Sequence, residues 1–509
     1  MQWLNAIVDE LERRHPDGEI VVSSGVSPSG IYHIGHLREV LTADAVYIEL
    51  KRRGRKAKHI HVVDDLDAFR KVPANIPESF DQYLGMPLCD IPSPDGKADS
   101  YADYFFQPFL DSVKKLGVEL DVVRSHEKYR SGFFVPAIER VLARIPQARE
   151  TLETISHRKL DPNWSPIQVM EDGRLKNRQF VRIDESKKLV FYKDNEGNER
   201  SVKYDDGSVK LDWRLDWPAR WWLMGVNVEP FGRDHASKGG SYDTGVGLMQ
   251  SVYEGDAPLP VPYDFINRAG DTKKMSASKG TGIEISEALD VLPPEVLRYF
   301  VLRYAPSKLL FFDSGQGTIK LMDDFAALAA NEQRSESEDQ ILYVATLGSN
   351  NKTISRIPFS HIVASYQSAL KDKQKTLQII SRTEHKETVQ ADEAIILREL
   401  DFIDAWLKHW APEDVKFDLI KEAPDNLNNQ QKEYLSQLAE KIEKAPADAD
   451  GEWFHKAIYE FKDSSELEPK ELFTTLYQVI IGKNSGPRAG WFLSILPRDW
   501  LIKRLNLDG

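Results

Sequence analysis

At 509 residues, 41% of them hydrophobic and 29% charged, the chain has a globular composition and room for roughly two to four domains. Its net charge of −13 excludes indiscriminate binding to polyanions, so any nucleic acid has to be held by local basic patches. The lone cysteine, Cys89, excludes an intramolecular disulfide and any multi-cysteine metal site, and the lack of a long apolar run or signal-like start points to a cytoplasmic protein with no membrane partner.

Residues 1–19 read as an amphipathic helix with Leu4, Ile7, Val8 and Leu11 on one side. Ile20 to Ser24 is a short apolar strand, and Leu37 to Leu50 carries Leu37, Val40, Leu41, Ala45 and Ile48 at helical spacing. The stretch between them, Ser27-Pro28-Ser29-Gly30-Ile31-Tyr32-His33-Ile34-Gly35-His36, is a glycine-bearing loop that opens a helix. Such a junction suits a nucleotide phosphate. Gly30 permits unusual backbone angles, amides at a helix start attract an anion, and His33 and His36 project from one face of the first turn as donors. Gly35, with no side chain, leaves room for a flat base. A second strand near Lys58 to Val63 ends at Asp64, Asp65 and Asp67, where loops at the carboxyl ends of parallel strands carry a site. Acids there suit an ammonium or a ribose; capping the next helix is the alternative use.

Residues 99 to about 160 are helical, with Tyr101, Phe105, Phe109, Val113 and Leu116 as a core stripe. From Asn163 to Trp213, alternating runs such as Val181 and Ile183 or Leu189 and Phe191 are separated by turns at Asp172-Gly173, Asn195 to Asn198 and Asp206-Gly207, which predicts a small β-rich insert. Trp213, Trp217, Trp221 and Trp222 crowd the next segment, and Gly232-Arg233-Asp234-His235 is a glycine turn presenting a polar cluster. Lys273-Lys274-Met275-Ser276-Ala277-Ser278-Lys279-Gly280 is a small-residue loop with several lysines. Between Ala330 and Arg356 the sequence turns polar and loses its period, marking a boundary region. Helical patterns dominate beyond it, with one face of Leu435, Leu438, Ala439 and Ile442 and another of Phe454, Ala457, Ile458 and Phe461. Two basic clusters, Lys51 to Lys56 and Lys483, Arg488, Lys503 and Arg504, could be solvated faces or nucleic-acid contacts.

The pair His33-Ile34-Gly35-His36 and Lys274-Met275-Ser276-Ala277-Ser278 resembles the HIGH and KMSKS signatures of class I aminoacyl-tRNA synthetases. The surrounding residues are similar to the archaeal-type class I lysyl branch: Asp64-Asp65-Leu66-Asp67, Tyr83 to Pro87, Asp216-Trp217-Pro218-Ala219-Arg220-Trp221, Glu229 to His235, Gly239 to Gly245 and Gly482 to Arg488. The resemblance implies an α/β Rossmann-type catalytic domain with a small β-rich insert, followed by an all-α C-terminal domain. The division is then 1–98 and 213–270 for the catalytic halves, 99–212 for the connective insert, 271–330 for the lysine loop and stem-contact region, and 331–509 for an anticodon-binding helical domain. The implied reaction activates L-lysine with ATP and Mg²⁺ and passes it to the 3′ end of tRNA(Lys), on a protein expected to be a monomer. His33, His36, Lys274 and Lys279 carry catalysis in this reading. Ser27, Gly30, Gly35, Gly232, Asp234, His235, Met275, Ser276 and Ser278 hold ATP, and Gly25, Glu39, Asp65, Trp222 and Tyr242 hold lysine.

Within that expectation a lysine ammonium needs carboxylate partners and an apolar wall, for which Glu39 is the first candidate with Asp65 behind it. The signature lysine is replaced by Ala277, so Lys279 is the expected source of that charge, and His36 stands where the lysyl branch often has asparagine. Relatives of this branch often carry zinc-binding cysteine pairs in the insert. Here Glu171, Asp172, Asp194 and Asn195 take their place, so the insert is expected to fold without metal. A glutamyl-type class I synthetase and a non-catalytic tRNA-binding paralogue are the alternative readings.

Overall fold

The computed structural model describes residues 1–270, 282–348, 354–446, 449–462, 465 and 467–508. The chain forms two compact units that interleave along the sequence: Met1–Leu289, Leu297–Phe312 and Glu336–Gly348 make one, and Asp290–Val296, Asp313–Ser335 and Ser349–Gly509 make the other.

In the first unit, helix α1 (Gln2–Arg14) buries Leu4, Val8 and Leu11 and stops short of Gly18, whose φ of +86° has left the helical region. There follow β1 (Ile20–Val26), α2 (Leu37–Arg52), β2 (Ala57–Val63), α3 (Tyr101–Lys115) and β3 (Asp121–Arg124). Strand β3 lies inside the stretch expected to be continuously helical. It has four residues, half of them exposed, at a sheet edge, which is too short and too wet for an alternating pattern to show. Helices α4 (Ser125–Arg130), α5 (Val135–Ala143) and α6 (Ile145–Ser156) lead to the insert. Its strands are β4 (Ile167–Glu171), β5 (Arg174–Asn177), β6 (Gln179–Asp184), β7 (Leu189–Lys193), β8 (Glu199–Lys203) and β9 (Val209–Leu211). They pair antiparallel in two small sheets, ordered β5-β4-β9 and β6-β7-β8. Glu171 is held by Lys176 at 3.0 Å and Arg178 at 2.5 Å, and Asp194 by Arg200 at 3.0 Å, so ion pairs occupy these positions of the insert.

Helix α7 (Trp213–Met224), β10 (Val228–Gly232), α8 (Ser241–Leu248) and β11 (Leu259–Tyr263) complete the main sheet, whose order is β11-β10-β1-β2-β3 and whose strands are all parallel. Strands β1 and β2 run in step from Ile20 opposite Ala57 to Val26 opposite Val63. The basic run after α2 is spent on structure: Arg52 and Arg53 pair with Glu49, Arg53 also with Asp9 and Glu12, and Arg55 donates to the His15 carbonyl at 2.6 Å.

The second unit is helical. Its core collects Leu435, Leu438, Ala439 and Ile442 of helix Asn429–Glu443, Phe454, Ala457 and Ile458 of helix Gly451–Tyr459, Phe461, and the buried face of helix Pro469–Ile481. Lys483 donates to the Glu413 and Lys416 carbonyls, and Arg504 to those of Ile420 and Lys421 at 2.6 and 2.8 Å, so both are committed within the fold. Among the described residues, no helix is long and apolar enough to cross a membrane.

Buried histidines on β2 make the first unit sensitive to acid. His59 and His61 both bond Ser24 Oγ at 2.8 Å. Burial pushes the His61 imidazolium down to about 3, and burial together with the charge of His61 does the same to His59. Their contribution is therefore present above the unfolded value of about 6.5 and is lost as pH falls below it. At pH 5 each should lose about 2 kcal/mol of stability. Thermal unfolding followed between pH 7.5 and 5 should show a falling midpoint, and a His59→Gln/His61→Gln variant should show a flatter profile.

Candidate active site

Parallel pairing between β1 and β10 registers at Val22 opposite Val228. Asn227 reinforces this end, accepting from the Val21 amide at 2.8 Å through its side chain and donating its own amide to the Val21 carbonyl at 2.9 Å. Beyond it, Pro230 has no N–H to give a neighbouring strand, and a side-chain bond from Ser23 Oγ to Glu229 at 3.1 Å replaces the ladder. This is also where strand order reverses, with β2 and β3 on one side and β10 and β11 on the other. Ligands bind in such a crevice at the carboxyl ends of strands. A cavity of about 320 Å³ fills it, formed by Gly25 and Ser27 at the end of β1, Asp64 and Asp67 after β2, Gly232, Asp234 and His235 at the end of β10, Tyr263 and Phe265 at the end of β11, and Trp213, Trp217 and Arg220 of α7.

Glu39, in the first turn of α2, reaches this cavity. Its Oε1 accepts from the Gly25 amide at 2.7 Å and its Oε2 from the Tyr263 hydroxyl at 2.7 Å. Among the described residues no basic side chain pairs with it. Burial, aided by the nearby charge of Glu229, raises its carboxyl to about 8 against these two hydrogen bonds. Glu229 is sealed differently: Trp217 Nε1 donates to it at 3.0 Å, and Trp221 Nε1 and Ser23 Oγ bond it too. The aromatic wall is Trp213 stacked on Trp217, with centroids 5.8 Å apart, and His235 within 5.7 Å of both rings.

Asp64 and Asp67, on the β2 side of the cavity, are neutralised from within. Lys210, from β9 of the insert and 2% exposed, lies 2.7 Å from Asp67, 3.5 Å from Asp64 and 4.0 Å from Asp216. Arg220 bonds Asp64 at 2.7 Å and also Asp216, to which the Tyr129 hydroxyl donates. Burial works against ionising Asp64, but the charges of Arg220 and Lys210 outweigh it and hold the carboxyl well below the usual range. Burial alone would lower Lys210; the carboxylates of Asp64, Asp67 and Asp216 keep it above its ordinary value.

At the turn between β1 and α2, the His33 side chain accepts from the Gly35 amide at 3.1 Å, and the His33 and His36 rings lie 4.2 Å apart. The His33 ring itself packs over Gly35, where a Cβ would stand 2.7 Å from its Nδ1, so this glycine makes room for the imidazole. The Ile34 amide donates to the Ile283 carbonyl at 2.9 Å, His33 bridges Glu284, and a Cβ on Gly282 would stand 2.5 Å from that of His33. The chain leaving the lysine-rich loop is thus fastened to the histidine turn. Lys274, Met275, Ser276, Ser278 and Lys279 lie outside the described residues.

Of the other expected residues, Gly25, Ser27, Gly232, Asp234 and His235 line the cavity with Glu39, while Gly30 is buried in the loop whose Ser29 carbonyl accepts from Tyr101 at 3.2 Å. Asp65 is not among the lining residues. It is fully buried and committed to Arg124 at 2.6 Å and to the His126 ring at 2.7 Å. Tyr242 supports the wall from behind, stacked on Phe231 at 5.1 Å, and Trp222 packs on Tyr253 beside a different cavity of about 590 Å³. Tyr263 and Lys210 escaped the sequence reading, and Glu229 entered it only within the stretch that carries the resemblance, with no role assigned. Glu229 had a signal, a carboxylate within an otherwise apolar strand, and Tyr263 stands at the carboxyl end of a parallel strand.

Residues 1–347 match the family described as tRNA synthetases class I (K), and residues 396–507 match an anticodon binding domain. The chain belongs to the class I (K) tRNA synthetases. Its relatives include Lysine--tRNA ligase 1 of Methanosarcina acetivorans, 35% identical over 99% of this chain and 98% of its own. The Lysine--tRNA ligase of Archaeoglobus fulgidus is 33% identical over 99% of both chains. Among solved structures, a glutamate tRNA ligase from Elizabethkingia meningosepticum aligns at a TM-score of 0.43 and 12% identity over 96% of this chain and 99% of that one.

Removing one partner from a buried ion cluster leaves uncompensated charge, a loss of about 3–5 kcal/mol. Lys210→Met should therefore lower stability on that scale in urea unfolding, whereas Lys187→Met, an exposed change in the same insert, should leave it unaltered.

Proposed function

We propose that this chain joins L-lysine to tRNA(Lys), using ATP to form lysyl-adenylate first. The observation that carries the reading is Glu39, a carboxylate on the cavity with two hydrogen bonds and no cationic partner among the described residues. An acid so placed calls for a cation from outside. The ε-ammonium of lysine supplies it, and Trp213 and Trp217 flank the aliphatic stem. A glutamate substrate would require free arginines facing the cavity, and its Arg220 is already bonded to Asp64 and Asp216.

In the reaction, a lysine carboxylate oxygen attacks the α-phosphorus of ATP and pyrophosphate leaves. A ribose hydroxyl at the tRNA 3′ end then attacks the lysyl carbonyl and AMP leaves. No enzyme nucleophile is needed; the protein aligns the reactants and stabilises charge on phosphate. His33 and His36 serve as donors to phosphate, with Lys274 and Lys279 supplying charge from the loop whose exit is bonded to their turn. Gly232, Asp234 and His235 border the nucleotide side. Mg²⁺, when bound, would supply further positive charge to the phosphate oxygens, in keeping with its preference for oxygen ligands. The helical unit reads the anticodon, and the protein works in the cytoplasm as a monomer.

Pyrophosphate exchange measured with each of the twenty amino acids should respond to lysine alone and need no tRNA. Exchange with glutamate in the presence of tRNA would overturn the substrate, and no exchange at all would overturn the enzyme. Glu39→Gln should raise the KM for lysine by about 10–100-fold and leave that for ATP nearly unchanged. The wild-type KM for lysine should also rise as pH falls from 8 to 6, because Glu39 takes up a proton below about 8 and then has no charge to offer. Its proton affinity has the opposite effect on the empty fold. The contribution of Glu39 to stability is present below the unfolded value of about 4.3 and is lost as pH rises towards 8. Glu39→Gln should accordingly raise the melting temperature at pH 8.5 while impairing lysine binding.

A further inference from the structure

A cavity of about 550 Å³ in the helical unit is bordered by helix Phe359–Ser368, by the turn that opens helix Lys386–His409, and by residues 485–491. His361 sits in the first turn of the former helix and is 7% exposed. Glu384 and His385 immediately precede the latter, with His385 at its N-cap. One ligand atom from each of His361, Glu384 and His385 lies within 4.8 Å of the other two, and no other three His, Cys, Asp or Glu side chains among the described residues come so close.

The His361 ring is fixed by perpendicular contacts with Trp491, centroids 4.1 Å apart, and with His385, 4.7 Å apart. Its Nε2 is shielded from solvent and has no hydrogen-bond partner, so the ring carries unmet bonding capacity. Burial, with the charge of His385, pushes the His361 imidazolium down to about 3, and burial lowers His385 as well. Both rings are neutral near pH 7 and keep a lone pair. The Glu384 carboxylate stands 3.7 Å from His385 with its side chain 66% exposed, which leaves it free to turn inward.

We propose that His361, His385 and Glu384 form a binding site for a divalent transition metal of the zinc type, with its remaining position open to the cavity. Two imidazoles and a carboxylate with one open position are a zinc donor set, whereas Mg²⁺ and Ca²⁺ favour oxygen throughout. Metal–ligand bonds of about 2.0–2.2 Å require the donor atoms to draw somewhat closer than they stand, a movement within reach of side-chain rotation. The metal would tie the start of helix Phe359–Ser368 to the turn before helix Lys386–His409. The assignment stands independently of the substrate of the first unit.

The test uses the full chain, stripped with EDTA and titrated with Zn²⁺ alone by calorimetry, and with Co²⁺ by visible absorption. One equivalent of Zn²⁺ should bind, and Co²⁺ should give the d–d bands of a low-symmetry nitrogen–oxygen site. Glu384→Gln and His385→Gln, at partly or largely exposed positions, should each weaken Zn²⁺ binding by more than the about 10-fold seen when an outer-shell partner is lost. His361→Asn should do the same. No binding, or unchanged affinity in folded His385→Gln protein, would overturn the site.

Discussion

The structure of the first unit depends on how far β1 pairs with its two neighbours. Against β2 it is bonded along its whole length, from Ile20 to Val26; against β10 the registered pairing is at Val22 and Val228. A strand held on one side and released on the other opens a cleft at its carboxyl end. Everything chemically distinctive then collects there, because the loops after β1, β2, β10 and β11 all emerge on that edge. Pro230 on β10 has no amide to donate, and its neighbour Glu229 meets β1 only side chain to side chain through Ser23, which keeps that cleft from closing into a continuous sheet.

The electrostatics of the cleft follow one rule. Asp64, Asp67 and Asp216 share Lys210 and Arg220, and Asp65 has Arg124 and His126, so these carboxylates are compensated inside the fold. Glu229 is compensated by neutral donors, two indoles and a hydroxyl. Glu39 alone of these acids has been given too little, a peptide amide and a phenol, while remaining open to the cavity. In the proposed function, selectivity for a cation rests on this incomplete compensation. A site crowded with acids does not attract cations indiscriminately when most of its acids are already satisfied.

Much of the frame could be read from the sequence because it rests on local patterns. The strand–loop–helix around His33, the turn-rich insert and the helical faces of Leu435 to Ile442 and Phe454 to Ile458 all appear where periodicity and turn chemistry place them. Glu39 was legible as the acid next to the histidine turn. What escaped depends on distant parts of the chain. Lys210 alternates with the buried Val209 and Leu211, a pattern that ordinarily puts a lysine in water; only the return of β9 beneath the loop after β2 makes it internal. Asp65 and Asp64 are adjacent and indistinguishable by type, yet alternation sends one towards Arg124 and the other into the cavity. Trp222 and Trp217 differ in the same way: α7 turns the latter to the site and the former to Tyr253. In the basic clusters, which the sequence leaves open between solvated faces and nucleic-acid contacts, Arg53, Lys483 and Arg504 are held by carboxylates or carbonyls in the folded chain, partners that composition alone does not display.

Lys210 also changes what the insert is. A β-rich excursion between two halves of a sheet looks like an accessory that could be trimmed, lengthened or exchanged without disturbing what lies beneath. Its last strand, however, delivers the ammonium around which Asp64, Asp67 and Asp216 are gathered. Excising residues 163–212 would leave those carboxylates to Arg220 and to an exposed Arg70 at 3.9 Å from Asp67. The insert is therefore not a removable module: a shortened descendant of this chain would have to keep β9 or place another cation where Lys210 now stands.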